Sequence, residues 1–319
     1  MEYRARTTMQ NPLDIFGLRP LPTAIRQAAM VFRGATGVPP SRFGLSSLGI
    51  FHPKIALTTW LGRRAAGDKV AIITLFNHTQ SPFTEGWSVR RTHVRDFRGR
   101  GMTYDSHNGT DFAVVPGHRV VAAAPGRVVR VSNELHRGGV KVVMDHGNGL
   151  MTTSNHLMRA TVAVSDLVKR GETIAISGAS GIDMIAAFPW NCPHVHFNTW
   201  LDGEPVDPFS TGSGEASLWR GGDAPGPALP TDEPFPEPTA WNMDGIAKLV
   251  DDCKNTEFRD ELMGIGDAEL RAANTVFYRN YYPNLFDQSI PLVMRKNERS
   301  GRLDMPFGDF SGIVFGDDL

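Results

Sequence analysis

Three short pieces of the chain carry residue types suited to metal and proton chemistry: His107-Asn-Gly-Thr-Asp111, Asn155-His156-Leu157 and His194-Val-His196. Successive side chains of an extended strand alternate between faces, so His194 and His196 point one way and Val195 the other. His107 and Asp111, four residues apart, share a face in either a strand or a helix. A histidine, a carboxylate four residues on and a histidine from a distant strand can supply three of the four ligands of zinc. Three protein ligands and one open position describe a catalytic ion, not a structural one. The two histidines left over would then be free to handle protons.

The elements that must position these residues are short. From 110 to 210 the chain alternates β-branched runs with glycine (FAVV, RVVAAA, GRVVRVS, GVKVVMD, TIAIS, HVHFNTW), a pattern that predicts a largely antiparallel β domain. Upstream, residues 22–33 read as a helix closed by Gly34, and Val70–Phe76 and Gly86–Val94 as strands. Residues 221–239 hold six prolines and read as a linker or strap. Beyond it, Ile246, Leu249, Val250 and Cys253 form a helical stripe. A second helix is expected from Asp267 as N-cap through Tyr281, and two or three strands at the end. The divisions are 1–100 (a basic extension with a short helix and strands), 101–212 (the site-bearing domain), 213–239 (linker) and 240–319 (acidic, helical, with a hairpin).

The composition, 41% hydrophobic with 9% aromatic residues over 319, is that of a folded chain and excludes wholesale disorder. Two cysteines cannot build a disulfide framework, although a single Cys192–Cys253 bond is open. The net charge of −1 conceals a strong asymmetry. Residues 1–106 carry 15 Lys+Arg against 6 Asp+Glu, 107–212 carry 8 against 9, and 213–319 carry 10 against 19. Either the basic front and acidic back pack on each other, or the basic run Arg90–Arg100 meets an anionic substrate; the first is favoured. No nucleic-acid motif is present. No apolar h-region follows Arg4 and Arg6, and the apolar runs are too short to span a bilayer. The default expectation is therefore cytoplasmic, or periplasmic or extracellular if the substrate lies there.

The ordered set of pieces resembles the lysostaphin/LytM-type zinc endopeptidases of bacterial peptidoglycan. The family's His-x-Gly-x-Asp is matched by His107, Gly109 and Asp111. Its glycine and Val-Ala segment is matched by Gly117, Val121, Ala122 and Gly126. The strand, hairpin and histidine look like Val142 to His156, and the next turn like Val168, Gly171, Glu172 and Ile174. Ser177-Gly178, Gly181, Pro193-His194-Val-His196-Phe197 and Asp207-Pro208 complete the likeness over residues 104–209.

That resemblance implies a mainly β fold: an antiparallel sheet or sandwich core, lysostaphin-like with a duplicated hybrid motif, and α/β N- and C-terminal extensions. It implies one Zn2+ held by His107, Asp111 and His196, with His156 and His194 as the proton-handling pair, and hydrolysis of peptide bonds in peptidoglycan. Alternatives are a metallopeptidase of other peptides and a non-catalytic scaffold that keeps the fold. Two departures bear on substrate choice. Ser154 stands where the family often has an aromatic. The stretch 181–193 is longer than usual and is expected to bring Phe188, Trp190 and an inert Cys192 to the mouth of the site.

Overall fold

The structure is a computed structural model that describes residues 11–79, 81, 83–210, 215–294 and 302–319. Its strands are β1 (Val70–Thr74), β2 (Thr110–Ala113), β3 (Arg119–Val121), β4 (Gly126–Glu134), β5 (Gly139–Asp145), β6 (Leu150–Ala160), β7 (Leu167–Val168), β8 (Thr173–Ser177), β9 (His194–Leu201), β10 (Glu204–Pro205) and β11 (Ile313–Phe315). They form one sheet in the order β11-β1-β2-β9-β6-β5-β4-β7, with β10 on β9 and β8 joining β6 to β3. Every pairing is antiparallel except β1 with β11. The fold is mostly β, as the glycine-punctuated runs predict.

Period-two alternation buries both faces of this sheet. Val128, Val142, Phe112, Val195 and Phe197 point into one core, roofed by Trp219, Leu303, Met305 and Phe307 of the C-terminal region. Val129, Val143, Met151 and Trp200 point into the other, roofed by the helices Met243–Asp251 and Ala268–Tyr281. Asp267 caps the second of these helices, its side chain accepting from the amides of Glu269 and Leu270 at 2.9 and 3.1 Å. The proline-rich stretch lies as a strap against the sheet: Ala228 is buried, and Glu233 pairs with the buried Arg170.

Several expectations need correction. Gly86–Val94 is not a strand, because its polar backbone groups find other partners. Val89 donates to the carbonyl of Arg42, Arg91 to the Ser46 hydroxyl and Thr92 to the Asp105 carboxylate. The C-terminal stretch contributes one described strand, β11, and otherwise isolated bridges at Val293, Leu303 and Met305; the turn of the expected hairpin lies outside the described residues. Both thiols are free, so Cys192 and Cys253 form no disulfide. Part of the charge asymmetry resolves into packing. Arg98 and Arg100 of the basic front pair with Asp317 and Asp318 of the acidic back at 2.9–3.4 Å, and Arg119 and Arg127 of the balanced middle pair with Asp309 and Asp267 of the back. No helix among the described residues is long and apolar enough to cross a membrane.

Candidate metal and hydrolytic site

The register of β2 on β9 places the site. Asp111 lies directly opposite His196, and Ala113 opposite His194. Cross-strand neighbours share a face, so Asp111, His194 and His196 project together while Phe112 and Val195 enter the core behind them. His107 precedes β2 and swings in from the loop, its ring resting on Tyr104 at 4.6 Å between centroids. Gly109 is what lets this loop lie so close to β9. A Cβ there would sit 2.8 Å from Cε1 and Nε2 of His196 and from the carbonyl oxygen of Phe197. The glycine of the His-x-Gly-x-Asp pattern is thus a packing requirement.

His156 reaches the same place by a different device. On β6, Asn155 pairs with His196, and the strand then leaves β9 for β8 at Leu157. Strict alternation would turn His156 to the opposite face, but its φ of +58° rotates it into the site. Left-handed backbone costs about 1–2 kcal/mol in a non-glycine residue. It is held by bonds from the His156 amide to the Gly138 carbonyl, 2.9 Å, and from its ring to the Ser180 carbonyl, 2.6 Å.

Backbone carbonyls settle which ring nitrogens carry protons. His107 Nδ1 donates to Leu75 O at 2.7 Å, His156 Nδ1 to Ser180 O and His194 Nδ1 to Cys192 O at 2.7 Å. Each therefore presents an unprotonated Nε2 when neutral. His107 Nε2 faces His196 Nδ1 at 3.1 Å and an Asp111 oxygen at 3.1 Å, and His196 Nδ1 faces the other Asp111 oxygen at 2.6 Å. Two imidazole nitrogens and a carboxylate, their ligand atoms within 4.8 Å of one another, thus crowd lone pairs that a divalent cation would satisfy. Their chemistry fits zinc. Burial alone would push the Asp111 carboxyl up, but the three imidazoles around it outweigh that and hold it well below the usual range. Burial lowers His156 to about 4, against the pull of Asp183. His194 Nε2 stands 3.7 Å from Asp111, and its ring is 4.5 Å from that of His156.

A cleft of about 310 Å³ opens on this cluster. One wall is the 3-10 turn Leu45–Ile50 with Phe43 and Phe51; another is Ala186, Ala187, Asn191 and Cys192 from the long loop. The structure does not bring Ser154, Phe188 or Trp190 to it. Register pairs Ser154 with Val142 and Phe197, which places it on the opposite face of the sheet. Phe188 is packed in an aromatic trio with Trp60 and Phe16, at 5.0 and 5.9 Å, and Trp190 is half exposed outside the cleft. Cys192 lines the cleft but is buried against the Thr59 hydroxyl, and burial pushes its thiol up to about 12. It is no candidate nucleophile.

Sequence reasoning missed the floor of the site. Tyr281, at the end of the second expected helix, sends its hydroxyl to Asn155 and Asn198 at 2.6 and 2.9 Å; Asn155 holds the His196 carbonyl and Asn198 holds Asn108 beside His107. Asn198 follows His196 by two on β9, so alternation alone could have placed it; nothing local marks Tyr281.

The model of peptidase family M23 matches residues 105–208, and this part of the chain is an M23 peptidase domain. An uncharacterised metalloprotease of Haemophilus influenzae is 34% identical over 119 residues, 36% of this chain and 24% of that protein. The peptidoglycan DD-endopeptidase ShyB of Vibrio cholerae is 34% identical over 124 residues, 39% of this chain and 26% of that protein. The chain thus spans about a quarter of the length of these curated relatives. Among solved structures, a zinc containing peptidase from Vibrio cholerae is 30% identical, covering 43% of this chain and 36% of that one, with a TM-score of 0.33.

Proposed function

We propose that this chain is a zinc-dependent endopeptidase that hydrolyses peptide bonds of peptidoglycan. The convergence of His107 Nε2, Asp111 and His196 Nδ1, with the His156 and His194 rings beside them on one cleft, carries the reading. The endopeptidase named among the relatives supports the substrate. On this reading the hydrolytic unit is 101–212, flanked by 1–100 and, beyond the 213–239 strap, by 240–319. The protein would work where peptidoglycan is, in the periplasm or outside the cell.

His107, Asp111 and His196 would hold one zinc ion, which supplies Lewis acidity for the scissile carbonyl and for a water molecule. The chain's own residues do the rest. His156 and His194 keep unprotonated Nε2 atoms at the cleft, so the pair would accept the proton of the attacking water; the imidazolium so formed would stabilise charge developing on the carbonyl oxygen and return the proton to the leaving amine. The Ser180 and Cys192 carbonyls fix both rings in the tautomer this needs. The test is metal analysis of the purified protein with digestion of purified peptidoglycan, the His194→Ala variant serving as control. Release of peptides by the parent and not by the variant supports the reading; bound zinc with no release refutes the peptidoglycan substrate.

A further inference from the structure

The cleft continues into a smaller cavity of about 80 Å³, and Tyr104, His156, Asp183 and His196 line both. Arg137, from the turn between β4 and β5, lines the smaller one. Its guanidinium lies over the rings of Trp87 and Tyr282, at 4.8 and 5.8 Å. Among the described residues it makes no ion pair, and its Nε is enclosed without an acceptor. The other arginines withdrawn from solvent are different: Arg98, Arg130, Arg170 and Arg279 each pair with a carboxylate. A half-buried guanidinium whose Nε is enclosed and unbonded, with aromatic faces beside it and no ion pair, is incompletely compensated for lost hydration. Asp183 is the protein carboxylate in this cavity, and it sits 3.9 Å from His156 Nε2, unpaired with Arg137.

A planar guanidinium matches a carboxylate with two parallel hydrogen bonds. We propose that Arg137 is a specificity-determining residue that anchors a free carboxylate of the bound peptide, so that the cleft selects acidic peptides. This rests on the peptidase reading above. The carboxylate could be the peptide's C-terminus or an acidic side chain; both have the same chemistry.

Three versions of one soluble peptidoglycan stem peptide separate the sources: all carboxylates free, the C-terminus amidated, or the side-chain carboxylates amidated. Binding is measured by calorimetry on full-length His194→Ala protein, with and without Arg137→Met, whose thermal unfolding and zinc content are checked against the parent. We expect one amidation to weaken binding about 10- to 100-fold with Arg137 present and to have no effect with Arg137→Met. Arg137→Lys, which retains the stem and charge but not the fork, should fall between. In the protein with His194 intact, the same amidation should raise KM and leave kcat unchanged. Equal binding of all three peptides, no binding of any, or a preference that survives in Arg137→Met overturns the proposal. Failure of the peptidase reading is seen separately, as no hydrolysis of any version by the parent protein.

Discussion

Asp111 and His196 face each other across the β2–β9 ladder, with a carboxylate oxygen 2.6 Å from Nδ1. The relationship is set by backbone register, so the ligand geometry is as stiff as the sheet. Replacing Asp111 by Asn keeps the shape but removes the charge that offsets a divalent cation. We expect Asp111→Asn and His196→Ala to purify with less than a tenth of the parent's zinc and no hydrolysis. A chelator should lower the parent's unfolding temperature and leave both variants unmoved. Parent-like metal content in either would exclude that residue as a ligand.

His194 shares the face of His196 but turns its Nε2 to the cleft, 3.7 Å from Asp111. His194→Ala and His156→Ala should retain zinc while kcat falls about 10²- to 10⁴-fold, the range for a lost proton-transfer group. Either variant turning over at the parent rate would remove that histidine from the chemistry.

Gly109 offers a test that touches no polar group. Because a Cβ would meet both the His196 ring and the rigid Phe197 carbonyl at 2.8 Å, Gly109→Ala must displace β9 or the His107 loop. The expected result is zinc affinity lowered at least about tenfold, since small displacements of ligands are costly, with the circular dichroism of the sheet retained. Unchanged affinity in a competition titration would show that the loop gives way freely.

The parts of this site that could be read from sequence are those whose geometry is local. His194 and His196 share a face because a strand has period two, and Asp267 caps its helix through neighbouring amides. Residues placed by distant contacts could not be read. Ser154 stands out in the sequence because it is placed where the resembled family often has an aromatic, yet the register puts it behind the sheet, and His156 rejoins the site face only through a left-handed backbone. The wall at Leu45–Ile50 depends on Arg91, which bonds the Gly49 and Gly101 carbonyls, and Tyr281 arrives from a helix far along the chain. The basic run Arg90–Arg100 leaves a substrate-facing alternative open beside the favoured packing, but Arg98 and Arg100 are engaged by Asp96 and the acidic tail, and Arg90 and Arg91 bond carbonyls such as those of Phe43 and Gly49.

Stability should fall with acid in a window set by buried histidines that are not metal ligands. His146 is buried, donates from Nδ1 to the Pro125 carbonyl at 2.9 Å and accepts at Nε2 from the Thr152 hydroxyl at 2.7 Å. Burial, with a smaller push from Arg170, lowers it to about 4; burial also lowers His136, which meets the Tyr282 hydroxyl, to about 3. The unfolded chain protonates both near 6.5, so between that pH and the folded values it binds more protons than the native state. The stability due to their neutral burial is therefore complete above about pH 6.5 and is lost as pH falls towards 4 and below. Glu134, held down to about 2 by Lys141 and Arg130 against its burial, adds a second loss that begins only below about 4.5. His146→Gln preserves a donor and an acceptor but does not titrate. Urea unfolding of that variant between pH 6 and 4.5 should show a pH slope shallower by about one proton than the parent's. An unchanged slope would mean that His146 is already protonated in the native protein, against the geometry that leaves its Nε2 an acceptor for Thr152.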